Sequence, residues 1–241
     1  VRTLAVISQK GGTGKTTVAV HLAVEAWAKG HRRVLMADLD PQRSAADWRR
    51  ARVGAGPSLI ESKPGALFVA QQAARRADVD LMVLDTRPAG DSDTTEAIRA
   101  ADLCLVVLRP SFFDLKTVQR MTDMTDAMST PAIFLLNQAP SSRSGRESPA
   151  VLEAIDILRQ RGVAVAPIGL RNRTAYQSAV ARGLTASELT PSSAASHEVG
   201  RLWKHMEQVL WPARPAATAR LGRMPATRMA RAVAMVGAAA D

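Results

Sequence analysis

Gln9-Lys10-Gly11-Gly12-Thr13-Gly14-Lys15-Thr16-Thr17 decides how the chain is read, because it joins the apolar run RTLAVIS (2–8) to a helix-patterned segment from residue 15. A phosphate chain needs glycines so that backbone N–H groups can close around it. It also needs a helix start whose dipole favours anions, a lysine for the terminal phosphates and a hydroxyl for Mg²⁺. All four requirements meet in this stretch. The pattern G-x-x-x-x-G-K-[ST] breaks at its first position, where Gln9 stands, and a second lysine, Lys10, is gained.

Outward from this loop, short β-branched or leucine-rich runs recur at 32–38, 80–85, 102–108, 131–137 and 163–168. Helical periodicity fills 15–29, 44–52, 69–77, 93–100, 114–128, 148–161, 174–182 and 193–209. Such alternation predicts an α/β fold, a doubly wound, mostly parallel sheet with helices on both faces and ligands at the carboxyl ends of its strands. Residues 1–211 are predicted to form one domain. Residues 212–241, rich in Ala, Pro and Arg, read as a flexible basic tail.

KGGTGKTT resembles the deviant Walker A motif of the ParA/MinD ATPases, and further stretches agree with that resemblance. Asp38-Leu39-Asp40-Pro41-Gln42 is similar to the family's first switch, and Asp80 to Asp85 with Thr86-Arg87-Pro88 to its Walker B strand and second switch. Asn137 matches a position beside the adenine. Pro110-Ser111 with Asp114, and Arg173-x-x-Tyr176-x-x-Ala179-x-x-x-Gly183 followed by Glu188, resemble small ParA and ParF-type partition proteins. Arg87 stands where the family usually has a second proline.

The resemblance implies ATP and Mg²⁺ as cofactors. Nucleotide would be held by Lys10, Gly11, Gly12, Thr13, Gly14, Lys15, Thr16, Thr17 and Asn137. Lys15 would bind the β- and γ-phosphates, Thr16 would ligate Mg²⁺ directly, Asp85 would reach the ion through water, and Asp40 would orient the attacking water with a possible water-mediated link to the metal. Lys10 would cross to the nucleotide of a second subunit, making ATP the trigger of a homodimer. Lys10, Lys15 and Asp40 are therefore the expected catalytic residues.

A formal charge of +10 favours a polyanionic partner. Arg214, Arg220, Arg223, Arg228 and Arg231 against Asp241 place +4 of that charge in the last thirty residues. The segment 193–209 sets Val199, Leu202, Trp203, Met206 and Leu210 opposite His197, Arg201, Lys204 and Gln208, an amphipathic helix with a basic face. Arg171, Arg173 and Arg182 lie just upstream and join Arg201 and Lys204 as candidate contacts to non-specific DNA. The expected role is partition of plasmid or chromosomal DNA with a small basic ParB-like activator or adaptor. The alternative is a MinD-like ATPase placing a protein cargo on a membrane, for which segment 227–237 is a weak anchor. No run reaches the ~20 apolar residues of a bilayer span, so the expected location is cytoplasmic, on the nucleoid if DNA is bound. The single cysteine, Cys104, lies in LCLVVL and reads as core, and it rules out a multi-cysteine metal site.

Overall fold

The structure, a computed structural model, describes residues 1–88, 92–142 and 144–212. The chain runs β1 (Arg2–Ile7), α1 (Lys15–Ala28), β2 (Val34–Asp38), α2 (Ser44–Ala51), β3 (Ser58–Glu61), α3 (Leu67–Arg76), β4 (Leu81–Asp85), α4 (Ser92–Ala100) and β5 (Leu103–Leu108). It continues through α5 (Phe112–Leu115), α6 (Val118–Ala127), β6 (Ala132–Leu136), α7 (Pro149–Gln160), α8 (Thr174–Val180), α9 (Ala186–Leu189) and α10 (Ala194–Leu210). The strands pair in parallel in the order β3-β2-β4-β1-β5-β6. Helices cover both faces, which is why β1 and β5 are buried along nearly their whole length and read as unbroken apolar runs. Cys104 is fully buried in β5.

Register brings the chemistry to one edge of the sheet. Val6 and Asp38 are both aligned with Asp85, so the ends of β1, β2 and β4 finish level with one another. The phosphate loop leaves the sheet from β1, at its centre.

Three expectations need correction. The run 163–168 is not a strand but an interrupted border along β6. Phe134 N–H donates to Ala164 O at 2.8 Å and Ala166 N–H to Phe134 O at 2.9 Å, but Leu136 O accepts from Leu170 rather than from residue 168. Pro167 has no N–H and cannot extend a ladder, so the chain loops out before it pairs again. The sixth strand is instead Ser58–Glu61, a four-residue edge strand hidden among Gly, Pro and Ser. The expected helix 114–128 is two helices, separated at Lys116 and Thr117, with Ser111 accepting the N–H of Asp114 at the first start. The tail, from residue 213 onward, lies outside the described residues.

Candidate active site

Residues 8–14 form a loop held at both ends. Ser8 Oγ donates to Lys10 O at 2.7 Å. Across the sheet, Asn137 Nδ2 donates to Thr13 O at 2.7 Å and Gln138 Nε2 to Gly12 O at 2.9 Å, so two amides beyond the end of β6 brace the loop from outside. Gly14 has φ 88°, and a Cβ there would stand 2.4 Å from Asn137 Nδ2, so both backbone conformation and close approach require glycine. Gln138 was not legible as a partner of the loop. β6 is separated from β1 by β5, and only the sheet order brings it within reach.

Lys15 opens α1 and is buried, 6% exposed. Burial pushes its ammonium below the ordinary lysine range, against the opposing pull of Asp85 and Asp40. Lys10 is only half-buried. Its Nζ lies 3.9 Å from Asp114 Oδ1 and 5.0 Å from the centre of the Phe113 ring. Asp114 is buried and bound by Arg109 through Nε at 2.8 Å and Nη2 at 3.2 Å. Burial raises its carboxyl, but the Arg109 hydrogen bonds outweigh that and hold it below the usual range.

Asp38 and Asp40 differ in what they bind. Asp38 is buried, accepts from Asp40 N–H at 3.1 Å and Ala46 N–H at 2.9 Å, and so fixes the turn into α2. Asp40 accepts from Gln42 N–H at 2.9 Å, a local turn bond, and lines a cavity of about 510 Å³ together with Gly11, Lys15, Thr16 and Arg87.

Asp85, at the end of β4, is 0% exposed, and among the described residues neither carboxylate oxygen has a hydrogen-bond partner in bonding geometry. Burial pushes its carboxyl up to about 7; the nearby Thr16 hydroxyl and Lys15 oppose the rise, and Asp38 and Asp40 add to it. A buried, unpartnered carboxylate beside a threonine hydroxyl and a lysine is the donor set for a hydrated Mg²⁺ on a polyphosphate. The residues present fit both groups.

Of the expected DNA contacts, Arg171 and Arg173 are engaged by carboxylates. Arg171 makes a two-point pair with Glu147, at 2.7 and 2.5 Å, while Arg173 Nε and Nη2 bind Glu198 at 2.9 and 2.6 Å. Arg182, Arg201 and Lys204 are exposed and form no ion pair among the described residues. In α10, Val199, Leu202, Trp203, Met206 and Leu210 are buried, and His197, Arg201, Lys204 and Gln208 face outward as the periodicity predicts.

Residues 4–186 match the family model of the CobQ/CobB/MinD/ParA nucleotide binding domain. The chain belongs to this family. It is a ParA/MinD-type ATPase, with the nucleotide-binding domain laid out as the phosphate loop indicated. Over 187 residues it is 34% identical to the maintenance of carboxysome distribution protein A of Gloeobacter kilaueensis, covering 76% of this chain and 83% of the relative. Over 234 residues it is 26% identical to the chromosome-partitioning ATPase Soj of Thermus thermophilus, covering 84% and 94%. Among solved structures, the Pyrococcus furiosus cell division ATPase MinD shares the fold with a TM-score of 0.67 at 20% identity, covering 86% of this chain and 99% of that one.

Proposed function

We propose that the chain is a positioning ATPase that closes as a homodimer around ATP and Mg²⁺ and, in that state, holds DNA without regard to sequence. The observation that carries this reading is the contrast between the two loop lysines. Lys15 is buried and lines the phosphate cavity, where it can serve only its own nucleotide, while Lys10 is not among the cavity's lining residues and rests on Asp114 and Phe113 with 37% of its side chain exposed. A lysine so placed is available to a phosphate arriving from a second subunit.

In the proposed cycle, the amides of residues 11–16 and Lys15 hold the β- and γ-phosphates and Thr17 touches the α-phosphate. Thr16 and Asp85 hold Mg²⁺, which supplies charge neutralisation when bound. Asp40 orients water, Lys10 steadies the partner's phosphates, and Asn137 combines its brace on Thr13 with a place near the base. Loss of the γ-phosphate removes what Lys10 bridges and releases the dimer, with a small basic ParB-like protein as the activator that sets the timing.

Arg182, Arg201 and Lys204 supply the DNA face. The named relatives distribute carboxysomes or partition chromosomes, and both tasks move a large body through the cell. The cargo here is of that kind, and the site of action is the cytoplasmic nucleoid. Among the described residues no helix is long and apolar enough to cross a membrane. Co-sedimentation with DNA and with anionic liposomes, each with and without ATP, tests the proposal. ATP-dependent pelleting with DNA supports it, and ATP-dependent pelleting with liposomes alone replaces it with membrane positioning.

A further inference from the structure

Arg87 is anchored beside the phosphate loop. The preceding Thr86 donates from Oγ1 to Val6 O at 2.9 Å, which ties the start of the second switch to the end of β1. The following Pro88 lies against the phosphate loop, its Cγ 3.7 Å from where a Cβ on Gly11 would stand. Between these two fixed points the Arg87 side chain lines the same cavity of about 510 Å³ as Lys15, Thr16 and Asp40. Its Nη1 lies 3.3 Å from Asp93 Oδ2, and the two side chains are 37% and 32% exposed.

A cavity lined by Asp40 and Lys15, with Asp85 near enough to act on Lys15, is short of cations for a triphosphate, even with one divalent ion. A guanidinium on its wall presents a planar fork that matches phosphate oxygens, which a lysine does not. At 3.3 Å the guanidinium is hydrogen-bonded to Asp93, but both side chains are partly exposed, and pairs of that kind contribute little.

We propose that Arg87 is a γ-phosphate contact supplied from within the same subunit. Asp93, on α4, holds its guanidinium when no γ-phosphate is present. Binding of ATP draws the guanidinium from Asp93 to the phosphate, so the move reports the nucleotide state to α4. This inference rests on the proposed nucleotide site and adds to it a residue that distinguishes ATP from ADP.

Calorimetric titration of the full chain with ADP and with a non-hydrolysable ATP analogue, both with Mg²⁺, tests it. Arg87→Ala should weaken the analogue by roughly 10- to 100-fold, the range of a charge-assisted contact. ADP affinity should stay within about twofold, which also reports that the variant is folded. If Arg87→Ala loses ADP through misfolding, Arg87→Gln, which keeps a donor for Asp93, must show the same split. Equal losses for both nucleotides, or none, overturn the assignment. Lys15→Ala in the same series must lose both ligands, and its normal binding would bring down the nucleotide site itself, a result separate from any behaviour of Arg87.

Discussion

Arg52 is held by both carboxylate oxygens of Glu188, with Nη1 at 3.0 Å from Oε2 and Nη2 at 2.5 Å from Oε1, across 136 residues of sequence. Its guanidinium also donates to Gly183 O and Ala55 O and lies 5.4 Å from the centre of Trp48 and 5.9 Å from that of Trp27. Arg52 closes α2, so this pair fastens that helix to the α8–α9 region. Only 3% of the Arg52 side chain is exposed. Arg52→Met should therefore cost about 3 kcal/mol in urea denaturation, because it leaves Glu188 partly buried without its cation. A change below about 1 kcal/mol would show that Thr185 and water satisfy Glu188 unaided.

Gly183 belongs to the same junction. It has φ 68°, and a Cβ there would lie 2.4 Å from Arg52 N and 2.5 Å from Ala51 C, backbone atoms that cannot swing aside. Gly162 has the same φ with nothing within 4 Å. Gly162→Ala should cost only the strain of the left-handed conformation, about 1 kcal/mol. Gly183→Ala should cost at least about 2 kcal/mol more, as in overpacked cores. Equal melting temperatures for the two variants would refute the close approach.

His21 gives the fold a pH dependence of known sign. Its Nδ1 lies 2.7 Å from Thr17 O and its Nε2 accepts the Ala186 N–H at 3.0 Å, so the neutral ring is already fully bonded and a second ring proton would face a donor. Burial pushes its pKa from 6.5 down to about 4, outweighing Thr17 O and Glu188, which act in the other direction. Below pH 6.5 the unfolded chain takes up a proton that the folded chain refuses. The contribution is intact above 6.5 and declines as pH falls toward 4, by on the order of 3 kcal/mol. Denaturation midpoints at pH 7 and pH 4.5 for wild type and His21→Gln check this: the variant should show a smaller drop, and an equal drop would contradict it.

The loop 9–17 was legible because phosphate chemistry demands fixed residue types in unbroken order, and the buried parallel strands were legible because they are covered on both faces. Ser58–Glu61 was hidden because an edge strand of four residues, two exposed and two half-buried, leaves no apolar run. The run 163–168 misled because its composition is that of a strand while Pro167 removes the donor a ladder needs. Arg171 and Arg173 looked like a basic surface because charge is visible in sequence, whereas their partners Glu147 and Glu198 lie some 25 residues away. The same distance effect concealed Gln138 and the Arg52–Glu188 pair. The motif Arg173, Tyr176, Gly183 and Glu188, recognisable as a family feature, proves to be a set of fastenings: Tyr176 Oη donates to Glu198 Oε2 at 2.9 Å, and Gly183 and Glu188 receive Arg52.

The two loop lysines and Asp40 should separate in nucleotide assays. Lys15→Ala should lose ATP and ADP binding, since the remaining loop donors are uncharged amides. Lys10→Ala should bind ATP as a monomer and fail to dimerise, and Asp40→Ala should accumulate an ATP-bound dimer that turns over slowly. Light scattering with ATP distinguishes the last two. An ATP-dependent dimer of Lys10→Ala would remove Lys10 from the interface, and a monomeric Asp40→Ala would remove Asp40 from the hydrolytic step.

The basic face can be tested against its own neighbours. Arg201 and Lys204 are exposed on α10 with no ion pair among the described residues, so Arg201→Glu with Lys204→Glu should weaken DNA binding by the ATP state and leave basal ATPase activity near normal. Removing one cation from a DNA phosphate should lower the magnitude of the log–log salt slope by about 0.9, so removing both should lower it by about 1.8. Arg173 is the internal control. Its guanidinium is bound to Glu198 at 2.9 and 2.6 Å, so Arg173→Gln should lower stability by leaving that carboxylate without its cation while leaving the salt slope unchanged. A slope that responds to Arg173 but not to Arg201 and Lys204 would move the DNA face from α10 to the segment before α8, at the expense of the Glu198 pair.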